Sequence, residues 1–405
     1  MNELNPYSLE PGSLVDILTL RYNPSQKPLL QKLTSKDFEP TNLKPSAEYI
    51  EKSIEDSIHE KLRTGVKKIS IALSGGVDSA LMLTIFHSLF PDVRINAISI
   101  RFSNSIDETP LAKKIAEKFN VEHHIVEVEN YLSELPKAIS IIGLPFWDLH
   151  WYHVIKKSKE FSDGILSGDG GDEVFGGYTF RYKKFLSLTT TNSSPLEKVK
   201  AYLHCHERDW VPDQDQLFGD KAKFSWDFIH NQLIPYFDNS LNPLDQVFLA
   251  DYNGKLLYNF SPINTRIQNH FEIKSVTPLL STGLISYATH IPNNLKYDRE
   301  RDIGKILLRK ILTKYGVDSL IPSEKYGFNV NTLNLWKLYG HKLCDYYLSD
   351  SRAAKDGWIR LDWIKQYINK PDLDVRYINK FLGLLAFEIW YRLFLTKEMK
   401  ADTKL

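Results

Sequence analysis

From Ala47 to Leu62 the apolar residues Tyr49, Ile50, Ile54 and Ile58 recur at helical spacing, which predicts a helix with one buried stripe. The period then changes. Ile69 to Leu73 reads as a short buried strand, Asp78 to Phe90 as a mostly apolar helix, and Ile95 to Phe102 as a second strand. Asp107 to Asn120 is amphipathic, with Leu111, Ile115 and Phe119 at successive i+4 steps. His124 to Val128 and Gly164 to Leu166 supply further strands. Strand–helix–strand alternation with short connections predicts an α/β fold, a doubly wound parallel sheet wrapped by helices. Beyond about Glu197 the pattern is dominantly helical, so a helical C-terminal half is expected. Residues 1–50 are rich in Pro, Asn, Ser and Lys with little periodicity, and read as an extended lead-in with short elements.

Composition narrows the classes. The 405 residues can bury a large core, as one big domain or two ordinary ones. A net charge of +1 leaves no electrostatic footprint for nucleic acid or an anionic membrane. The longest apolar stretch, Phe381 to Leu395, is interrupted by Glu388 and Arg392 and is too short to span a bilayer. Met1 to Glu10 lacks the charged-then-apolar pattern of a signal peptide. Only Cys205 and Cys344 are present, which argues against a disulfide framework and suits the cytoplasm.

Two loops carry the candidate chemistry. Ser74-Gly75-Gly76-Val77-Asp78-Ser79 lies between an apolar strand and an apolar helix. Its glycines let the backbone turn tightly, and loop N–H groups at a helix start make an anion site. Ser74 and Ser79 add hydroxyl donors, and Asp78 adds a hard oxygen suited to Mg²⁺. No Gly-Lys-Ser/Thr follows, so this is not a Walker A loop, and the third glycine of a dinucleotide fingerprint is missing. The second loop, Ser167-Gly168-Asp169-Gly170-Gly171-Asp172-Glu173-Val174-Phe175-Gly176-Gly177-Tyr178, follows the strand Gly164 to Leu166. Three carboxylates this close repel one another unless a cation or a functional need holds them. The oxygen spacing and distal Glu of an EF-hand are absent.

Together the loops resemble the asparagine synthetase family, whose synthetase domain carries Ser-Gly-Gly-Leu-Asp-Ser and later Ser-Gly-Glu-Gly-x-Asp-Glu-x-Phe-Gly-Gly-Tyr. The likeness extends to Ile106-Asp107-Glu108-Thr109, His123-His124, Arg266 with Pro278, Lys305-Ile306-Leu307-Leu308-Arg309 and Lys325-Tyr326-Gly327-Phe328. Ile17 to Pro40 looks like the segment joining the family's glutaminase and synthetase domains. The resemblance therefore implies a lead-in over 1–62 and an ATP pyrophosphatase domain of the PP-loop (adenine nucleotide alpha hydrolase-like) type over 63–400. It implies that Ser74, Gly75, Gly76, Asp78 and Ser79 grip the pyrophosphate end of ATP, and that Asp78 and Asp172 share Mg²⁺. The adenine would lie near Ala72, Ile100, Ser167 and Gly168. Lys325 would stabilise developing charge on the oxygens, as a mobile point charge can. Asp169 stands where asparagine synthetases have Glu and the β-lactam-forming relatives have Tyr, and fits positioning or accepting a proton from an incoming amine. The implied reaction adenylates a carboxylate on a small molecule or peptide and transfers ammonia or an amine to it. The family also admits a homodimer.

Three departures set this chain apart. It opens Met1-Asn2 with neither an N-terminal Cys nor a recognisable glutaminase domain, so ammonia, another amine or a separate glutaminase is expected as nitrogen source. Lys274 replaces the family's Glu, Val276 its Arg, Gln268 its Ser and Ser281 its Asp. Glu272 would share a strand face with Lys274 and is a candidate substitute. Gly143-Leu144-Pro145-Phe146 stands where the family has Asp-Glu-Pro-Phe. The ATP half thus looks intact and the acceptor half altered. This leaves two rivals to an asparagine synthase-like ligase: an amide-closing cyclase or peptide-modifying amidotransferase, and a nucleotide-binding regulatory subunit with a degenerate acceptor site. His204-Cys205-His206 and His341 with Cys344 do not make a four-ligand zinc set, and read as surface helix residues. Trp147, His150, Trp151, Tyr152 and His153 read as core with one or two at the pocket, and Lys296 to Arg301 as a solvated loop.

Overall fold

A computed structural model describes residues 9–39, 41–42, 44–63, 65–102, 105–322 and 330–405. Five parallel strands form the central sheet: β1 (Ile69–Ala72), β2 (Asn96–Phe102), β3 (Glu122–Val128), β4 (Gly164–Leu166) and β5 (Lys274–Val276), in the order β3-β2-β1-β4-β5. The chain winds outward from β1 to β2 and β3, then returns to lay β4 on the other side of β1. The order reverses between β1 and β4, where a doubly wound sheet opens a crevice outside its carboxyl ends. β1 and β4 are almost wholly buried, while edge strand β3 exposes alternate residues. That is the burial expected of central and edge strands in a helix-covered sheet.

Helices α2 (Ala47–Arg63), α3 (Val77–Leu89) and α4 (Thr109–Lys118) stand where periodicity predicts them. α4 begins two residues later than the apolar pattern suggests. Asp107 accepts from the Thr109 amide at 2.9 Å and the Thr109 hydroxyl at 2.7 Å, which caps the helix start.

The lead-in departs from expectation. Pro11–Leu20 is a helix, α1, with Leu14, Val15, Ile17, Leu18 and Leu20 all buried. A helix covered on nearly every side shows no amphipathic stripe, so periodicity passes over it. The long helix Val375–Phe394 holds its end: the Lys380 ammonium donates to the Leu18 carbonyl. One hydrophobic cluster runs without a break from Leu14 through the sheet to Tyr391, so the lead-in shares the core of the rest.

Two smaller corrections follow. The stretch expected as a solvated loop forms a hairpin, β6 (Tyr297–Asp298) with β7 (Ile303–Gly304). Lys296 at its base is buried over the Phe248 ring at 5.0 Å, and burial pushes its ammonium down to about 8 against the pull of Asp245. Cys344 and His206, expected at the surface, are not: Cys344 is buried and bonds the Phe381 carbonyl at 3.5 Å, and His206 is half-buried and bonds the Tyr202 carbonyl at 2.9 Å. Trp147, Trp151 and Tyr152 are core residues as read. No helix among the described residues is long and apolar enough to cross a membrane.

Candidate ATP and acceptor site

β1 leads through Leu73 into the first loop, and α3 starts at Val77. Gly75 has φ +80°, and a Cβ there would stand 2.9 Å from Leu111 Cβ, so backbone geometry and space both demand glycine. The serines tie the loop across itself. Ser79 Oγ lies 3.1 Å from both the Ser74 amide and the Ser74 hydroxyl, and donates to the Gly76 carbonyl at 3.2 Å. Helix α3 therefore begins directly behind an ordered turn, with Asp78 in its first turn.

The second loop leaves β4, neighbour of β1, and opens a short helix, Gly171–Phe175. The ladder continues one step, with the Ser167 amide donating to the Val276 carbonyl at 3.0 Å. A Cβ on Gly168 would come within 2.5 Å of Asp78 Cβ, and one on Gly171 within 2.3 Å of Asp78 Oδ1. Only bare backbone lets the two loops close on each other, and they meet at Asp78. The sequence led to the expectation that Asp78 and Asp172 share Mg²⁺; the fold brings the two acids together around a lysine, Lys305, whose ammonium contacts Asp78 and stands 2.6 Å from Asp172 Oδ1. Gly177 makes the room, since a Cβ there would fall 1.8 Å from that oxygen and 2.5 Å from Lys305 Cε.

Lys305 is 7% exposed and adopts φ +59°, a left-handed conformation uncommon outside glycine. Burial works against its charge, but Asp172 and Asp78 outweigh that and hold the ammonium above the usual lysine range. The sequence marked Lys305 only as part of a Lys-x-Leu-Leu-Arg match and assigned it no role. Two hard carboxylates gathered in one place are a donor set that would suit Mg²⁺, with Asp78 and Asp172 as the residues that would hold it.

Asp169 projects beside this pair. Burial raises its carboxyl pKa; the hydrogen bond from Asn264, at 3.0 Å, opposes the rise, and the charge of Asp78 adds to it. Asn264 went unnoticed in the sequence and belongs to no motif there. Of the residues expected near adenine, Ser167 and Gly168 line the second loop and Ala72 ends β1. Ile100 lies two residues beyond Ile98, the partner of Ala72, and so reaches the same carboxyl end of the sheet. Lys325, with the rest of Lys325-Tyr326-Gly327-Phe328, lies outside the described residues.

The altered acceptor positions divide. Lys274 pairs with Gly164 where β5 and β4 start, at the opposite end of the sheet from both loops. Glu272 lies there too, exposed, with its carboxylate 3.7 Å from Lys159. Neither reaches the crevice, which corrects the expectation that Lys274 changes the pocket's charge or that Glu272 substitutes there. Val276 pairs with Leu166 at the carboxyl end but is fully buried, and Gln268 is buried as well. Gly143 caps helix α5 (Leu135–Ile142) with φ +64°. The neighbouring Ile142 carbonyl accepts from the Arg266 guanidinium, and the Gly143 carbonyl from Trp390 Nε1 at 3.0 Å. Ser281 precedes the helix Thr282–Thr289 without a side-chain cap.

The family described as asparagine synthase matches residues 49–392, most of the chain and both loops. The chain belongs to the asparagine synthase family. Within that family it is similar to asparagine synthetase [glutamine-hydrolyzing] 1 of Bacillus subtilis (strain 168), 23% identical over 406 residues, covering 90% of this chain and 63% of the relative. The putative asparagine synthetase [glutamine-hydrolyzing] 2 of Methanocaldococcus jannaschii is 32% identical over 132 residues, 31% of this chain and 25% of the relative. The chain thus spans less than two thirds of the length of these relatives. Among solved structures, the NH3-dependent NAD synthetase of Campylobacter jejuni overlaps 33% of this chain and 62% of its own, at 20% identity and TM-score 0.27. The architecture is a doubly wound parallel sheet, with strands in the order β3-β2-β1-β4-β5 and the Ser74–Ser79 loop after β1.

Proposed function

We propose that this asparagine synthase-family protein is an ATP-dependent ligase that adenylates a carboxylate and transfers ammonia or another amine to it. The observation that carries this reading is the convergence of Asp78 and Asp172 on one cation, inside a crevice walled by the glycine backbone of both loops. Bound Mg²⁺ would supply charge neutralisation on the transferring phosphate. The chain's own parts do the rest. Loop amides and the start of α3 receive the pyrophosphate end, and Lys305 moves its charge from the aspartates onto phosphate oxygens. The substrate carboxylate attacks the α-phosphorus, the bond to pyrophosphate breaks, and an acyl-adenylate forms. The amine then attacks the acyl carbon, AMP leaves, and Asp169 takes the surplus proton. Lys325 is proposed as the mobile charge that serves both steps.

The acceptor is proposed to be larger than aspartate or borne on a peptide, with the nitrogen drawn from free ammonia, an amine, or a separate glutaminase in the cytoplasm. Support comes from Val276, Gly143 and Asp169, which replace the family's arginine, aspartate and longer glutamate. The same replacements favour amide closure within a peptide as the second reading. The deciding experiment measures AMP and pyrophosphate from the wild type against a panel of carboxylates and amines, with linear peptides included. Product with a free amine supports the ligase, and a cyclised peptide the second reading. No AMP from any member, with ATP bound, points to a regulatory subunit.

A further inference from the structure

The first loop leaves the sheet at Leu73, whose amide still donates to the Ile98 carbonyl at 2.9 Å. Its carbonyl lies past the last paired residue of β1, Ala72 opposite Ile98, and so has no ladder partner of its own. The hydroxyl of Ser99, buried in β2, fills that place and donates to the Leu73 carbonyl at 2.5 Å. A serine hydroxyl has one proton. With that proton committed, the Ser99 oxygen acts as acceptor toward His123 Nε2, 2.7 Å away on β3. His123 therefore carries its proton on Nε2, and a three-member chain runs from the sheet's edge to the residue before Ser74.

The adjacent histidine serves the other face of the sheet. His124 stacks on Phe161 with ring centroids 4.1 Å apart and bonds Asn96 Oδ1 at 3.0 Å, an arrangement that only packs the fold. Successive strand residues point to opposite faces, so the two neighbours can hold unrelated tasks.

We propose that His123 is a positioning residue for ATP: through Ser99 it holds the Leu73 carbonyl and so sets the direction in which the phosphate loop leaves the sheet. The inference rests on the ATP-binding reading of the Ser74–Ser79 loop. The loop's amides bind phosphate only if the turn is aimed before the ligand arrives, and a hydrogen-bonded chain across two strands supplies that aim from outside the site.

The test is a double-mutant cycle on the full chain, titrated with a non-hydrolysable ATP analogue and Mg²⁺, with thermal melts in parallel. His123→Ala weakens binding about fivefold, as loss of one net hydrogen bond does, and Ser99→Ala weakens it at least as much. The double variant binds no worse than Ser99→Ala alone, and His123→Gln, which returns an N–H donor, stays within about twofold of wild type. A merely structural histidine would instead lower the melting temperature while leaving the affinity of the folded protein unchanged. Wild-type affinity in His123→Ala, additivity in the double variant, or failure of glutamine to rescue would each overturn the proposal. Should His123→Ala not fold, His123→Leu, which keeps bulk but has no N–H donor, takes its place in the cycle. No binding of the analogue by the wild type would sink the ATP reading itself, an outcome distinct from the other three.

Discussion

The crevice has two sides that are built differently. On the side between β1 and β4, glycine backbone from two loops closes to contact distance around Asp78, and Lys305 holds two carboxylates in one place. On the side toward β5, the strand contributes a fully buried Val276 and a backbone carbonyl, and Gly143 is spent on capping a helix. The first side is charged and close-fitting, so almost any change there is felt. The second is neutral at Val276 and Gly143, and the one charged replacement, Lys274, lies at the far end of the sheet. The two walls answer to different constraints: the first depends on spacing that only glycine allows, the second on side chains that can be exchanged one at a time.

Breaking the charged side gives the largest effect. Asp78→Asn and Asp172→Asn each lower Mg²⁺-dependent pyrophosphate release by about a thousandfold or more, since losing a metal ligand costs on the order of several kcal/mol. Circular dichroism checks that the fold survives, and near-normal turnover in either variant would remove the basis for the site.

Next comes Asp169, on the border between the sides. Asp169→Asn depresses amide formation by about a hundredfold while pyrophosphate release falls less, because a general base acts on the amine. Burial holds the Asp169 carboxyl above its usual pKa, so its base form is present above that raised value and lost as pH falls through it. The acid limb of the amide-forming rate is therefore expected above about pH 4, the ordinary aspartate value, and absent in Asp169→Asn. An acid limb unchanged in the variant would assign the proton to another group.

The close fit itself is tested by Gly171→Ala, whose Cβ would overlap the Asp78 carboxylate. Overpacking of about 1–3 kcal/mol predicts at least a fivefold loss of ATP turnover. Gly283→Ala, where a Cβ meets nothing within 4 Å, is the control. The smallest effect belongs to Lys274→Ala, at the opposite end of the sheet. It leaves pyrophosphate release within about twofold of wild type, and a larger loss would mean that the acceptor extends around the sheet's edge.

Both loops were legible in the chain because each is one contiguous run whose glycines, hydroxyls and acids carry their chemistry at fixed spacing. The strands that present them were legible for the same local reason: a short buried strand is an apolar run between turn residues. Helix α1 escaped notice because its partners cover it on all sides, which erases the period that betrays a surface helix. Lys305 stands 227 residues from Asp78, and Asn264 stands 95 from Asp169. Nothing in the local chain around either residue tells which acid it will meet, since that depends on how the helical half folds back over the sheet.

The acceptor side shows the same limit from the other direction. A gapless match put Lys274 into the pocket and strand alternation offered Glu272 as its substitute, yet strand pairing of β5 with β4 sends both to the amino-terminal end. The sequence by itself determined the glycine-serine loop, the acidic loop and the parallel sheet that must bring them to one end, because each follows from neighbours along the chain. Which cation joins the two aspartates, which amide steadies Asp169, and which replaced residues face the crevice were decided by the tertiary structure. Those are contacts across long loops, and they exist only once the core that spans the lead-in and the helical half has closed.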